Sequence, residues 1–216
     1  MIEENIKDII NRVRAAAAGR SVKIVAATKT VEPERINVIR AFGINAVGEN
    51  RVQELLSKYD ALDAGEIHFI GALQTNKVKY IIDKVCLIQS VDRIELAAEI
   101  QKRAAAIDKI MPVLIEVNIG GEQSKSGCNV SDVFGLIDSV RGMKNIRVDG
   151  LMSVLPIGAD TSLYDKMYEL YTEADKRYGG MKYLSMGMSD DFELAISRGA
   201  NLVRIGSAIF GRRSSV

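Results

Sequence analysis

At 216 residues the chain is long enough for one substantial hydrophobic core, and one domain spanning 1–216 is the expected count. Its 29 basic and 28 acidic residues leave a formal net charge of +1, which provides no electrostatic footprint for nucleic acid and no polybasic patch for an anionic membrane. His68 is the one histidine, and Cys86 and Cys128 stand in unrelated contexts, which argues against multi-histidine and paired-cysteine metal centres.

The amino terminus, Met1-Ile2-Glu3-Glu4-Asn5-Ile6-Lys7-Asp8, is acidic and amphipathic, unlike a signal peptide. No 18-residue apolar run marks a membrane span. Together with two unpaired cysteines, this predicts a cytoplasmic protein with free thiols. A first helix is expected over Ile2–Ala18, where Ile2, Ile6, Ile9, Ile10 and Val13 form an ordinary core stripe. The first strand, Val22–Thr28, ends at Lys29, and Val31-Glu32-Pro33-Glu34 starts the next helix.

From there, β-branched apolar runs alternate with stretches of helical period. Further strands are expected at Ala46–Gly48, Ile67–Gly71, Val85–Ser90, Pro112–Ile119, Arg147–Val154, Tyr183–Met188 and Leu202–Ile205. Helices are expected over Pro33–Phe42, Arg51–Leu62, Thr75–Ile82, Arg93–Ile107, Val130–Arg141, Ser162–Tyr178 and Asp191–Arg198. Such alternation predicts an α/β fold with a parallel sheet covered by helices. Eight units fit a closed (β/α)8 barrel with an extra amino-terminal helix. An open doubly wound sheet is the alternative, but no GxGxxG follows the first strand.

In such a barrel, function gathers at the carboxyl ends of the strands. Lys29 leaves a buried strand, where desolvation favours a neutral, nucleophilic amine; the competing reading is a strand-end lysine snorkelling to solvent. Asn50 lines the second exit or caps the helix that follows. His68 reads as a satisfied strand histidine, and Gln74 and Asn76 as mouth residues or helix caps. Asn118, Met152 and Ser153 also stand at exits. Lys125, within Ser124-Lys125-Ser126-Gly127, reads as a loop lysine or as a helper in ligand entry.

Ser189 follows the seventh strand as an N-cap, with capping-box spacing from Asp190 to Glu193. Gly206-Ser207 follows the eighth, where backbone N–H groups and a hydroxyl suit an anion. The loops after these two strands form the usual phosphate cradle of this barrel. Arg204 lies between Val203 and Ile205, pointing either into the barrel or outward to a helix carboxylate. Beside a pyridine nitrogen, a permanent cation would keep that nitrogen unprotonated and weaken the ring as an electron sink.

The stretches AATKT around Lys29, GENRVQE at 48–54, HFIGALQTNK at 68–77 and SKSG at 124–127 resemble the pyridoxal-phosphate homeostasis proteins. So do GLMSV at 150–154, SMGMSDDFELAI at 185–196 and VRIGSAIFG at 203–211. These proteins are single-domain relatives of the alanine racemase barrel, so the resemblance implies an alanine racemase N-terminal-domain-like TIM barrel. It further implies that Lys29 forms an aldimine with pyridoxal 5′-phosphate and that Ser189, Gly206 and Ser207 hold the phosphate. Arg204 would lie near the pyridine nitrogen, and Asn50 would line the ring pocket. Thr28 replaces the serine common before the lysine. Alanine racemases add a β-rich domain with a catalytic tyrosine, and the sequence ends five residues after Gly211. A monomeric cofactor carrier or regulator is therefore expected, with PLP-dependent apoenzymes as partners. The alternative is a weak PLP-dependent amino-acid racemase; a Schiff-base aldolase acting on a sugar phosphate is made remote by the match.

Overall fold

The computed structural model describes residues 2–122 and 125–211. Eight parallel strands close into a barrel in sequential order. They are β1 (Lys23–Ala27), β2 (Ala46–Glu49), β3 (Glu66–Phe69), β4 (Leu87–Val91), β5 (Met111–Glu116), β6 (Ile146–Met152), β7 (Tyr183–Ser185) and β8 (Leu202–Ile205). The helices are α1 (Ile2–Ala17), α2 (Pro33–Asn37), α3 (Val52–Lys58), α4 (Ile94–Ala105), α5 (Val133–Arg141), α6 (Thr161–Tyr178), α7 (Phe192–Ser197) and α8 (Ser207–Phe210). Register between β1 and β8, pairing Lys23 with Leu202 and Val25 with Arg204, closes the ring.

Because side chains alternate along a strand, the two faces of each strand enter two separate cores. Outward residues such as Ala26, Val47, Phe69, Ile88, Ile115 and Val203 pack beneath the helices. Inward residues Val25, Ala46, Leu87, Leu114, Met152 and Leu202 form the smaller cluster that fills the barrel. On α1, Ile6, Ile9, Val13 and Ala17 form its buried face, and the helix packs on α7 and α8.

Several expected helices are shorter or wound more tightly. The expected Pro33–Phe42 helix divides into α2 and a 3-10 segment over Val38–Phe42 that ends at left-handed Gly43. No α-helix forms between β3 and β4; Thr75–Tyr80 is 3-10. Val78 is the buried residue of that segment, with Ile81 and Ile82 buried just beyond it.

Candidate functional site

In parallel strands, residues paired in register share a face, so the interior set follows from the pairing. Val25 points inward and pairs with Arg204; Met152 points inward and pairs with both Glu116 and Ser185. Lys29 lies in the turn after β1, four residues beyond Val25. It is half-buried, and its amine has no hydrogen-bond or ion-pair partner among the described residues. Asn50, in the turn after β2, is also half-buried. Gly71 packs directly on it: a Cβ at Gly71 would stand 2.8 Å from Asn50 Cα.

The β7 and β8 exits meet through Ser189. Its Oγ accepts hydrogen bonds from the backbone N–H of Gly206 and of Ala208, both at 3.2 Å. This corrects the expectation that Ser189 caps the helix after β7. The N-cap of α7 is Asp191, whose side chain instead accepts from Met188 N–H (2.6 Å) and from the Tyr164 hydroxyl (2.7 Å). The aspartate has the longer reach and takes the capping-loop amide, which leaves the serine hydroxyl to bridge to the next exit. Ser207 opens α8 with its side chain exposed. Asn50 is likewise not a cap, since Arg51 holds the N-cap position of α3 without a side-chain bond.

Arg204 points into the barrel and is 4% exposed. Its guanidinium donates to Ser185 Oγ (2.6 Å), Ser185 O (3.1 Å) and Ser153 O (2.9 Å), with no carboxylate in ion-pair contact among the described residues. Burial lowers its pKa to about 10. From Ser185 a chain of hydrogen bonds continues through the interior. Ser185 Oγ donates to Gln89 Oε1 (2.7 Å), Gln89 Nε2 contacts His68 Nδ1 (3.0 Å), and His68 Nε2 contacts Glu66 (3.2 Å).

Burial lowers the His68 pKa and keeps the ring neutral. Glu66 can only accept, so its partner Nε2 carries the proton and Nδ1 accepts from the Gln89 amide. Every donor in the chain therefore points from Arg204 towards Glu66. The His68 N–H, with the Lys23 ammonium 2.7 Å from the carboxylate, holds the Glu66 carboxyl down at about 2. Glu66, His68 and Cys86 bring their donor atoms within 4.8 Å of one another. With Lys23 bonded to the carboxylate and the thiol pushed up by burial, this group is an ion-paired cluster.

Glu116 shares the interior face. It is 5% exposed, its Oε2 has no partner, and burial raises its pKa to about 7, with Asp92 adding to the rise and Arg204 opposing it.

Sequence reading missed three groups: Gln89 and Ser185, which continue the chain from Arg204; Glu116; and Lys58, buried against Glu49 outside the barrel. Glu116 carries a visible signal, a carboxylate in an otherwise apolar strand. Gln74 and Asn76 are exposed and make no side-chain hydrogen bond. Lys125 pairs with Glu122 at 3.4 Å, and Ser124 lies outside the described residues. A cavity of about 440 Å³ lined by Leu155, Ile157, Tyr164, Met188 and Leu194 lies beside the β6 and β7 exits, but none of the six expected cofactor residues lines it.

Comparison with known proteins places the chain among relatives. Residues 2–214 match the family described as alanine racemase, N-terminal domain. The pyridoxal phosphate homeostasis protein of Aquifex aeolicus is 44% identical, covering 97% of both chains, and that of Pseudomonas aeruginosa is 37% identical, covering 98% and 96%. The structure of PipY from Synechococcus elongatus with PLP bound superposes with a TM-score of 0.84 at 25% identity, covering 98% of this chain and 100% of that one. Alanine racemase from Corynebacterium glutamicum shares the fold, with a TM-score of 0.76 at 17% identity over 61% of its length.

Proposed function

The chain belongs to the alanine racemase N-terminal domain family and, within it, to the pyridoxal phosphate homeostasis proteins. From that membership we propose that it binds pyridoxal 5′-phosphate and serves in cellular homeostasis of the cofactor, holding it without efficient catalysis. The observation that carries this reading is Lys29: a half-buried amine without a partner among the described residues, in the turn after the strand whose Val25 pairs with Arg204.

The residues suit such a ligand. Hydroxyls and backbone amides gather where β7 and β8 end, and a free amine stands where β1 ends. Pyridoxal phosphate, when bound, would supply an aldehyde able to condense with a primary amine with loss of water. Lys29 provides that amine. Ser189, Gly206 and Ser207 provide donors for phosphate oxygens. Asn50 would line the ring pocket, and Arg204 would act as a fixed cation opposing protonation of the ring nitrogen. Binding at Lys29 is reversible, so the same site both loads and releases. Delivery to PLP-dependent apoenzymes, a monomeric state and a cytoplasmic location complete the proposal.

Incubating the protein with pyridoxal phosphate, reducing with borohydride and mapping the adduct by mass spectrometry tests it. We expect a pyridoxyl group on Lys29 in the wild type and none at that position in Lys29→Ala. A wild type that gains no lysine-linked chromophore would sink the proposal.

The second reading is a weak amino-acid racemase, for which Glu116, a buried interior carboxyl whose pKa burial raises to about 7, is the residue to test. Holo-protein incubated with L-alanine in deuterium oxide separates the two. A carrier leaves Cα exchange at the rate of the free cofactor, whereas enzymatic exchange that disappears in Glu116→Gln would favour the racemase.

A further inference from the structure

We infer that Lys58 is a positioning residue for Lys29: from outside the barrel it holds the turn that carries the Lys29 amine towards an incoming aldehyde. The inference rests on the function proposed above and concerns residues that take no part in the pocket itself.

Lys58 is the last residue of α3, an end from which a lysine ordinarily reaches into water. Here it is folded inward and 6% exposed. Its Nζ donates to Thr28 O at 2.8 Å and Val31 O at 3.4 Å, and it pairs with Glu49 at 2.8 Å and Glu54 at 3.1 Å. Those carboxylates hold the same turn. Glu49, fully buried, accepts from the Thr28 hydroxyl, and Glu54 accepts from the Thr30 backbone N–H. Thr28 and Val31 carbonyls and the Thr30 amide thus bracket Lys29 and are all tied to one cluster of one ammonium and two carboxylates.

Two features indicate that the cluster serves the turn. Thr30 has a φ of +61°, a left-handed conformation that a β-branched residue leaves unless its surroundings hold it there. Buried ion pairs are also a costly way to fasten a helix to a sheet, since well-packed apolar side chains do so equally well. Glu49 Oε2 has no hydrogen-bond partner among the described residues. What an apolar contact cannot do is hold two carbonyls and one amide of a particular turn in place. Glu49 lies on the outer face of β2 and Lys58 reaches it from the end of α3, so they act on the ligand through the Lys29 turn.

The test compares two ligands on the full chain. Pyridoxal 5′-phosphate has the aldehyde; pyridoxine 5′-phosphate has the same ring and phosphate but an alcohol in its place. Dissociation constants for both are measured in the wild type, in Lys58→Met and in the double variant Lys58→Met/Glu49→Gln, which leaves no unpaired charge from the Lys58–Glu49 pair. Glu54→Gln, which disturbs only the Thr30 amide tie and one ion pair, is measured beside them, with thermal unfolding throughout. We expect pyridoxal phosphate to bind at least about tenfold more weakly in the Lys58 variants and about threefold more weakly in Glu54→Gln. Pyridoxine phosphate should stay within about twofold of wild type. Equal losses for both ligands, or no loss for pyridoxal phosphate, would overturn the positioning role. A wild type that binds both ligands equally and leaves no adduct on Lys29 would instead overturn the proposed function on which the inference rests.

Discussion

A buried guanidinium without an ion-paired carboxylate sets the electrostatics of this barrel's interior. Arg204 donates its hydrogen bonds to a serine hydroxyl and two backbone carbonyls, and the Oε2 of Glu116 has no hydrogen-bond partner among the described residues. The Glu116 carboxyl is raised in the folded chain to about 7, from 4.5. The sign follows from proton binding. Below the unfolded value both states are protonated and Glu116 costs nothing; between 4.5 and about 7 the unfolded chain is ionised while the folded chain keeps its proton. Stability should therefore fall as pH rises through that window and level off above it. Urea unfolding of wild type and Glu116→Gln at several pH values checks this: the variant should be more stable by roughly 3 kcal/mol at pH 8 and by almost nothing at about pH 4. Lys29 and Arg204 were legible as candidates because each is a cation in an apolar strand context. Glu116 carried the same kind of signal, but its lack of a partner appears only when the neighbouring strands are in place.

At the scale of elements, the strand exits do the work. Ser189 looked like a helix cap because it stands directly before Asp190–Glu193, a pair with capping-box spacing. The cap went to Asp191, and the serine spans two loops instead. Local spacing was satisfied by more than one residue, and the proximity of the β8 exit decided between them. The exit of β3 depends on Gly71, whose missing side chain admits the Asn50 backbone. Gly71→Ala should cost about 1–3 kcal/mol in chemical denaturation, because backbone offers no flexible end that can move aside. It should also weaken pyridoxal phosphate binding by displacing Asn50, which the same titration used for the lysine variants would register. Element order was legible throughout from periodicity. Helix type was not: the 3-10 segments over Val38–Phe42 and Thr75–Tyr80 use apolar spacings that also fit an α-helix.

Over the whole molecule, closure of the ring brings β3, β4, β7 and β8 to one interior, where Glu66, His68, Gln89, Ser185 and Arg204 join in a single directed chain. Gln89 is its middle link. Gln89→Leu would leave His68 Nδ1 without its donor and the Ser185 O–H without its acceptor, although Arg204 still donates to Ser185 Oγ, at about 1–3 kcal/mol for each group lost. Denaturant unfolding should show the loss, with the Arg204 end of the chain reporting it as weaker pyridoxal phosphate binding.

The sequence by itself determined the alternation of strands and helices, the barrel that alternation implies, and the candidates Lys29, Asn50, Ser189, Arg204, Gly206 and Ser207. All of that depends on local periodicity and on which residues stand where a strand ends. Tertiary structure decided the pairings: Lys58 with the turn at Lys29, Ser189 with the amides of Gly206 and Ala208, and Gln89 with both His68 and Ser185. Those contacts join residues separated by 17 to 96 positions. They exist because strand register and barrel closure fix which side chains share a face and a height, and no local pattern encodes that register.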